Sequence, residues 1–170
     1  MRPEVVTVRG FTPQIHPSCF IAGNSAVIGD VLIGERSSVW YSVTIRADVN
    51  SIRIGREVNV QDGTVIHGTF EKYGCTIRDR VTVGHLAMLH GCEIGSSCLI
   101  GMGSIIMDGA QIGAQSIVGA GSLVTEGSVF PPRSLILGRP AKWKRELTAE
   151  EVDLLEHSAD NYLLYSSWYK

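Results

Sequence analysis

The chain has 170 residues, 44% of them hydrophobic, and a formal net charge of -2, which suits one soluble domain able to bury a core and argues against disorder. A near-neutral balance with no basic run gives no electrostatic case for nucleic acid or an acidic membrane surface. The opening "MRPEVVTVRGFTPQIHP" lacks a basic region followed by an apolar run, and no apolar stretch is long enough to cross a bilayer, so a cytoplasmic location is expected.

From the N-terminus, large aliphatic residues fall six apart: Ile15, Ile21, Val27, Ile33, Val39 and Ile45. The series resumes after a three-residue insertion at Ile54, Val60 and Ile66, and after a five-residue insertion at Ile77, Val83 and Leu89. One residue is missing before Ile94, Ile100, Ile106, Ile112, Val118 and Val124. Glycine often follows the aliphatic residue, and the chain carries 19 of them. A helix of period 3.6 cannot keep one face apolar at period six, whereas short strands joined by turns can, so the fold class expected is an all-β solenoid. Periodicity alone shows only the six. The pattern resembles hexapeptide-repeat proteins, and that resemblance implies three hexads per triangular coil, six coils in all, and a left-handed parallel β-helix, against the usual right-handed crossover.

The β region is expected to end near "FPPRSLILGRPAKW", where prolines interrupt pairing. Beyond it, Thr148 and Glu151 have capping-box spacing, and Val152, Leu155, Ala159, Tyr162, Ser166 and Tyr169 keep a helical stripe. The organisation read from this is a β-helix domain over 1–140, then a linker and a C-terminal α-helix over 141–170 that packs on the solenoid. Cys19, Cys75, Cys92 and Cys98 show no CxxC pair, so buried thiols are expected instead of a disulfide scaffold or zinc knuckle.

With three hexads per coil, every third aliphatic residue stands in one vertical column. In the column Val27, Ile45, Ile66, Leu89 and Ile106, the next residues are Ile28, Arg46, His67, His90 and Met107, so His67 and His90 stack on neighbouring coils. In the adjacent column His85 stands over Asp62, at a different corner. Within one chain His85 cannot readily join His67 and His90; if three prisms pack side by side, the His67/His90 corner of one meets the His85 corner of the next, and the two histidines of "HLAMLH" then serve different sites. Three imidazoles at such a seam form a metal site with open positions, suited to zinc and also to iron, cobalt or nickel.

The segments "RADVNSIRIGREVNVQDGTVIHGT" and "VTVGHLAMLHGCEIG" resemble the γ-class carbonic anhydrase family. The resemblance covers nearly the whole chain. It implies a homotrimer with one zinc, or iron or cobalt, at each subunit interface, held by His67 and His90 of one chain and His85 of the next. It implies reversible hydration of CO2 to bicarbonate by a metal-bound hydroxide, with Gln61 orienting that hydroxide and Asn59 in the same segment. Arg46 and Asp62 are expected to form an intersubunit ion pair, with Asp48 also engaging Arg46. The best-studied type of the family has Glu after the Arg-x-Asp segment, where this chain has Val49, and its acidic loop is here reduced to "GTFEKYG". Glu71 and Tyr162 are the remaining candidates for proton export. Two alternatives stand beside this reading. One is a hexapeptide-repeat acyltransferase or thioesterase using a histidine base; the other is a non-enzymatic metal-binding trimer.

Overall fold

The computed structural model describes residues 2–169. Its hexads form short strands that stack in parallel into a left-handed three-faced β-helix of about seven turns. Face one stacks Val5, Val27, Ile45, Ile66, Leu89, Ile106 and Val124. Face two stacks Ile21, Val39, Val60, Val83, Ile100, Val118 and Ile136. Face three runs from Ile15 through Ile54 and Ile94 to Phe130. Apart from Val5, which is exposed at the first turn, these columns point inward and fill the prism with one continuous apolar core. Fully burying each such side chain contributes about 1.5–3 kcal/mol.

The turns account for part of the glycine content: among the described residues nine glycines have positive φ, while others, such as Gly34 and Gly95, lie where a Cβ would strike the backbone of the next turn. One residue of most turns adopts the left-handed conformation, which costs a residue with a Cβ about 1–2 kcal/mol. At the corner preceding face one that position is Ser42, Gly63, Leu86, Gly103 and Gly121 in successive turns. At the corner preceding face two it is taken by Arg36, Glu57 and Arg80, among others. Stacked there, Glu57 accepts from both Arg36 and Arg80, so opposite charges alternate up the edge.

The solenoid extends a turn beyond the six coils expected. Glu4–Val6 adds a strand before Ala26–Ile33, and Val129–Phe130 and Ser134–Gly138 continue two faces at the other end. Pro131 and Pro132 sit in the turn between those strands, where no ladder N–H is needed. Nor is the segment after 140 a linker at first: Ala141–Glu146 folds back antiparallel on Ser134–Gly138 and closes the end of the sheet.

Helix α1 spans Ala149–Ser167, and its capping box joins Thr148 and Glu151. Leu155, Ala159 and Ser166 are its buried positions. Tyr162 stands edge-on to Trp40, with ring centroids 5.7 Å apart, beside the buried Phe20. Arg80 pins the same helix through Glu156 and Asp160. Among the described residues no helix is long and apolar enough to cross a membrane.

Candidate metal centre

Face one has two edges, and the histidines divide between them. Strands Val65–His67 and Met88–His90 pair in register, so His67 and His90 leave the same edge one turn apart. His85 lies in the turn before Met88–His90, at the opposite edge, because the chain between His85 and His90 crosses the face. Among the described residues no three His, Cys, Asp or Glu side chains converge within the one chain.

His67 Nδ1 and His90 Nε2 are 3.1 Å apart. The other nitrogen of each ring faces a carboxylate: His67 Nε2 lies 3.0 Å from Asp48 Oδ1, and His90 Nδ1 lies 2.6 Å from Asp108 Oδ1. Burial alone would raise both carboxyl groups. Hydrogen bonds from His67 and Arg46 outweigh it and hold Asp48 below its ordinary range, while Thr69 and His90 do the same for Asp108. An ionised carboxylate only accepts, so the ring nitrogens facing Asp48 and Asp108 carry the protons. The nitrogens facing each other are within hydrogen-bond distance, and with the far nitrogens committed to carboxylates, a shared proton or a cation would satisfy both lone pairs. Burial pushes His67 below the ordinary imidazole range despite the hydrogen bond from its ring to Asp48, which disfavours a proton there. Two nitrogens sharing a tetrahedral zinc lie about 3.3 Å apart, close to the spacing seen. The residues fit a metal.

At the opposite edge His85 Nδ1 lies 3.0 Å from Asp62 Oδ2, which leaves Nε2 directed elsewhere. Each of the three histidines thus has an aspartate on one ring nitrogen, the arrangement that orients metal-bound imidazoles. His85 is 42% exposed, the most open of the three.

The remaining predicted residues separate in the same way. Arg46 donates to Asp48 Oδ2 at 2.5 Å beside His67. Gln61 is buried beside His85, and its Nε2 donates to Asn59 Oδ1 at 3.0 Å. Asn59 donates in turn to Thr82, whose hydroxyl is 3.1 Å from that of Ser158 on α1. Gln61 and His85 line a largely apolar groove of about 390 Å³ with Ile100, Met102 and Ser158. Tyr162 belongs to this edge as well: burial pushes its phenol above the ordinary range, and the Asp62 carboxylate adds to the shift. Val49 lines a separate pocket with Arg9, Asp48 and Arg53. Glu71 is exposed at the tip of its loop.

Sequence reasoning missed Asp108 and Thr69. The signal for Asp108 was present: it follows Ile106 by two residues in the column that carries His90, one turn along. Thr69 had no such signal, because it sits in the insertion that breaks the repeat.

The bacterial transferase hexapeptide (six repeats) family matches residues 91–126. A carbonic anhydrase of Geobacillus kaustophilus is 46% identical over 95% of this chain and 88% of its own length. The mitochondrial gamma carbonic anhydrase 2 of Arabidopsis thaliana is 39% identical over 89% of this chain, which spans 56% of the plant protein. Among solved structures, a hexapeptide transferase family protein from Anaplasma phagocytophilum superposes with a TM-score of 0.95 at 42% identity, covering 100% of each chain.

Proposed function

Since the chain belongs to the γ-class carbonic anhydrase family of hexapeptide-repeat β-helix proteins, we propose that it hydrates CO2 reversibly at a metal centre completed between subunits of a homotrimer. His67 and His90 of one subunit and His85 of its neighbour would hold the metal, zinc by preference, with iron or cobalt as alternatives. The observation that carries this reading is the pair of ring nitrogens converging to 3.1 Å, each ring held by an aspartate on its far side. Held by these residues, a divalent metal would supply Lewis acidity of the kind that lowers the pKa of a water to about 7.

The chain's own residues then have distinct tasks. Asp48, Asp62 and Asp108 orient the three rings. Gln61, steadied by Asn59, offers its side-chain carbonyl to a water or to bicarbonate beside His85. The apolar floor of the groove suits CO2, which has no charge to solvate. Arg46 holds Asp48 and, across the seam, faces Asp62 of the neighbour in an intersubunit ion pair. Val49 cannot carry a proton, so proton export falls to Tyr162 near Asp62, to the exposed Glu71 of the loop beside His90, or to bulk water.

The test is stopped-flow CO2 hydration by protein purified without air and loaded separately with Zn, Co or Fe(II). Turnover with at least one metal, lost in His85→Ala, is expected; no turnover in any fully loaded sample would sink the reading. One observation favours a second reading: the His85–Asp62 pair at the mouth of the apolar groove is an oriented base of the kind acyl transfer uses. That chemistry would move an acyl group from a thioester sulfur to a nucleophile deprotonated by His85. It would survive His67→Ala, whereas hydration would not.

A further inference from the structure

Asp108 and Thr69 form a bracket behind His90 that the repeat alone would not build. Thr69 Oγ1 donates to Asp108 Oδ2 at 2.5 Å, which leaves Oδ1 for His90 Nδ1 at 2.6 Å. The five-residue insertion brings Thr69 there. Within that loop the Thr69 and Tyr73 backbones bond each other, and Asn50 Nδ2 donates to the Thr69 carbonyl at 3.1 Å. The loop rests on two glycines. A Cβ on Gly91 would lie 2.3 Å from Asp108 Oδ1 and 2.7 Å from Tyr73 Cβ, and one on Gly109 would touch the Tyr73 ring. Both glycines have positive φ, so the backbone and the space require the same residue type.

We propose that Asp108 and Thr69 are positioning residues of the centre: they hold His90 in its Nδ1–H tautomer and so present bare Nε2 to the metal. This rests on the metal-centre reading for its consequence, though not for the tautomer itself. Thr69 acts on His90 only through Asp108. The short "GTFEKYG" loop, which carries an exposed acid at Glu71, thus contributes through its hydroxyl at Thr69.

The experiment compares the full chain with Asp108→Ala, Asp108→Asn and Thr69→Val, using two readouts. Long-range 15N–1H spectra of the metal-free proteins report which nitrogen of His90 carries the proton. Zinc titration against a chromophoric chelator reports affinity. We expect His90 to be Nδ1–H in the wild type and to shift toward Nε2–H in Asp108→Ala, with affinity falling about 10–100-fold. Asp108→Asn keeps an oxygen acceptor and should recover most of both. Thr69→Val, nearly isosteric, should shift both in the same direction by less and guards against misfolding of the alanine variant. An unchanged His90 tautomer in folded Asp108→Ala, or a changed tautomer with unchanged affinity, would overturn the proposal. A wild-type chain that binds no metal yet shows the tautomer shift would overturn the metal-centre reading while supporting the tautomer assignment.

Discussion

Turns that keep the hexad strictly and turns that break it do different work. From Ile94 to Val124 the inward residues recur every six positions, and the outward ones are Gln111, Ile117, Leu123 and the like, with no histidine or aspartate except Asp108. From Ile45 to Leu89, two insertions interrupt the count, and the three histidines with most of their partners fall there or next to it. A perfect repeat places identical chemistry on every turn, which packs well and distinguishes nothing. The insertions leave the core register intact, since Ile45, Ile66 and Leu89 still stack, while displacing the chain outward at 47–51 and 68–74 to meet the histidine edge.

The largest expected contrast is functional. His67→Ala or His90→Ala should reduce zinc bound per chain and CO2 turnover to background, while Gln111→Ala, exposed on a regular turn, should leave both unchanged; metal analysis with stopped flow decides it. A core comparison comes next. Ile66→Ala in the interrupted turns and Ile100→Ala in the regular ones, both fully buried, should each cost about 2–5 kcal/mol by urea denaturation. A markedly smaller loss at Ile66 would mean that the insertions loosen the core, against the register seen.

Two glycines sharpen the contrast at smaller scale. Gly127→Ala meets nothing within 4 Å and pays only for its φ of +68°, about 1–2 kcal/mol. Gly91→Ala carries a similar φ and also drives a methyl into Asp108 and Tyr73, so it should lower the melting temperature further and weaken zinc binding. The smallest effect concerns α1, which leans on the interrupted half through Trp40. Arg145, with the Thr148 backbone N–H, brings Glu151 down to about 2 from an ordinary 4.5. Because the folded value is depressed, this contribution is complete above about pH 4.5 and disappears as pH falls toward 2. Trp40 fluorescence should report helix loosening in that window, and Glu151→Gln should flatten that part of the titration.

Much of this was legible beforehand. The pairing of His67 with His90, despite a separation of 23 residues, could be counted from the hexads once the insertion was set aside. The placement of His85 with Asp62 at the other edge came from the same count. The helix and its cap were readable from Thr148, Glu151 and the apolar stripe. The parallel strands end at Gly138, within the "FPPRSLILGRPAKW" segment, but the antiparallel return of Ala141–Glu146 was not legible, because it breaks the hexad period.

By itself, then, the amino-acid order determined the repeat, its inward columns and which histidines share an edge, since a period of six leaves each aliphatic residue one place to be buried. Tertiary structure alone decided which nitrogen of each ring faces a carboxylate. That depends on where Asp48 and Asp108 point, and so on the hydroxyl of Thr69 brought in by an insertion that obeys no period. Hydrogen-bond direction is settled over tenths of an ångström between side chains from different turns, a scale that sequence spacing does not encode.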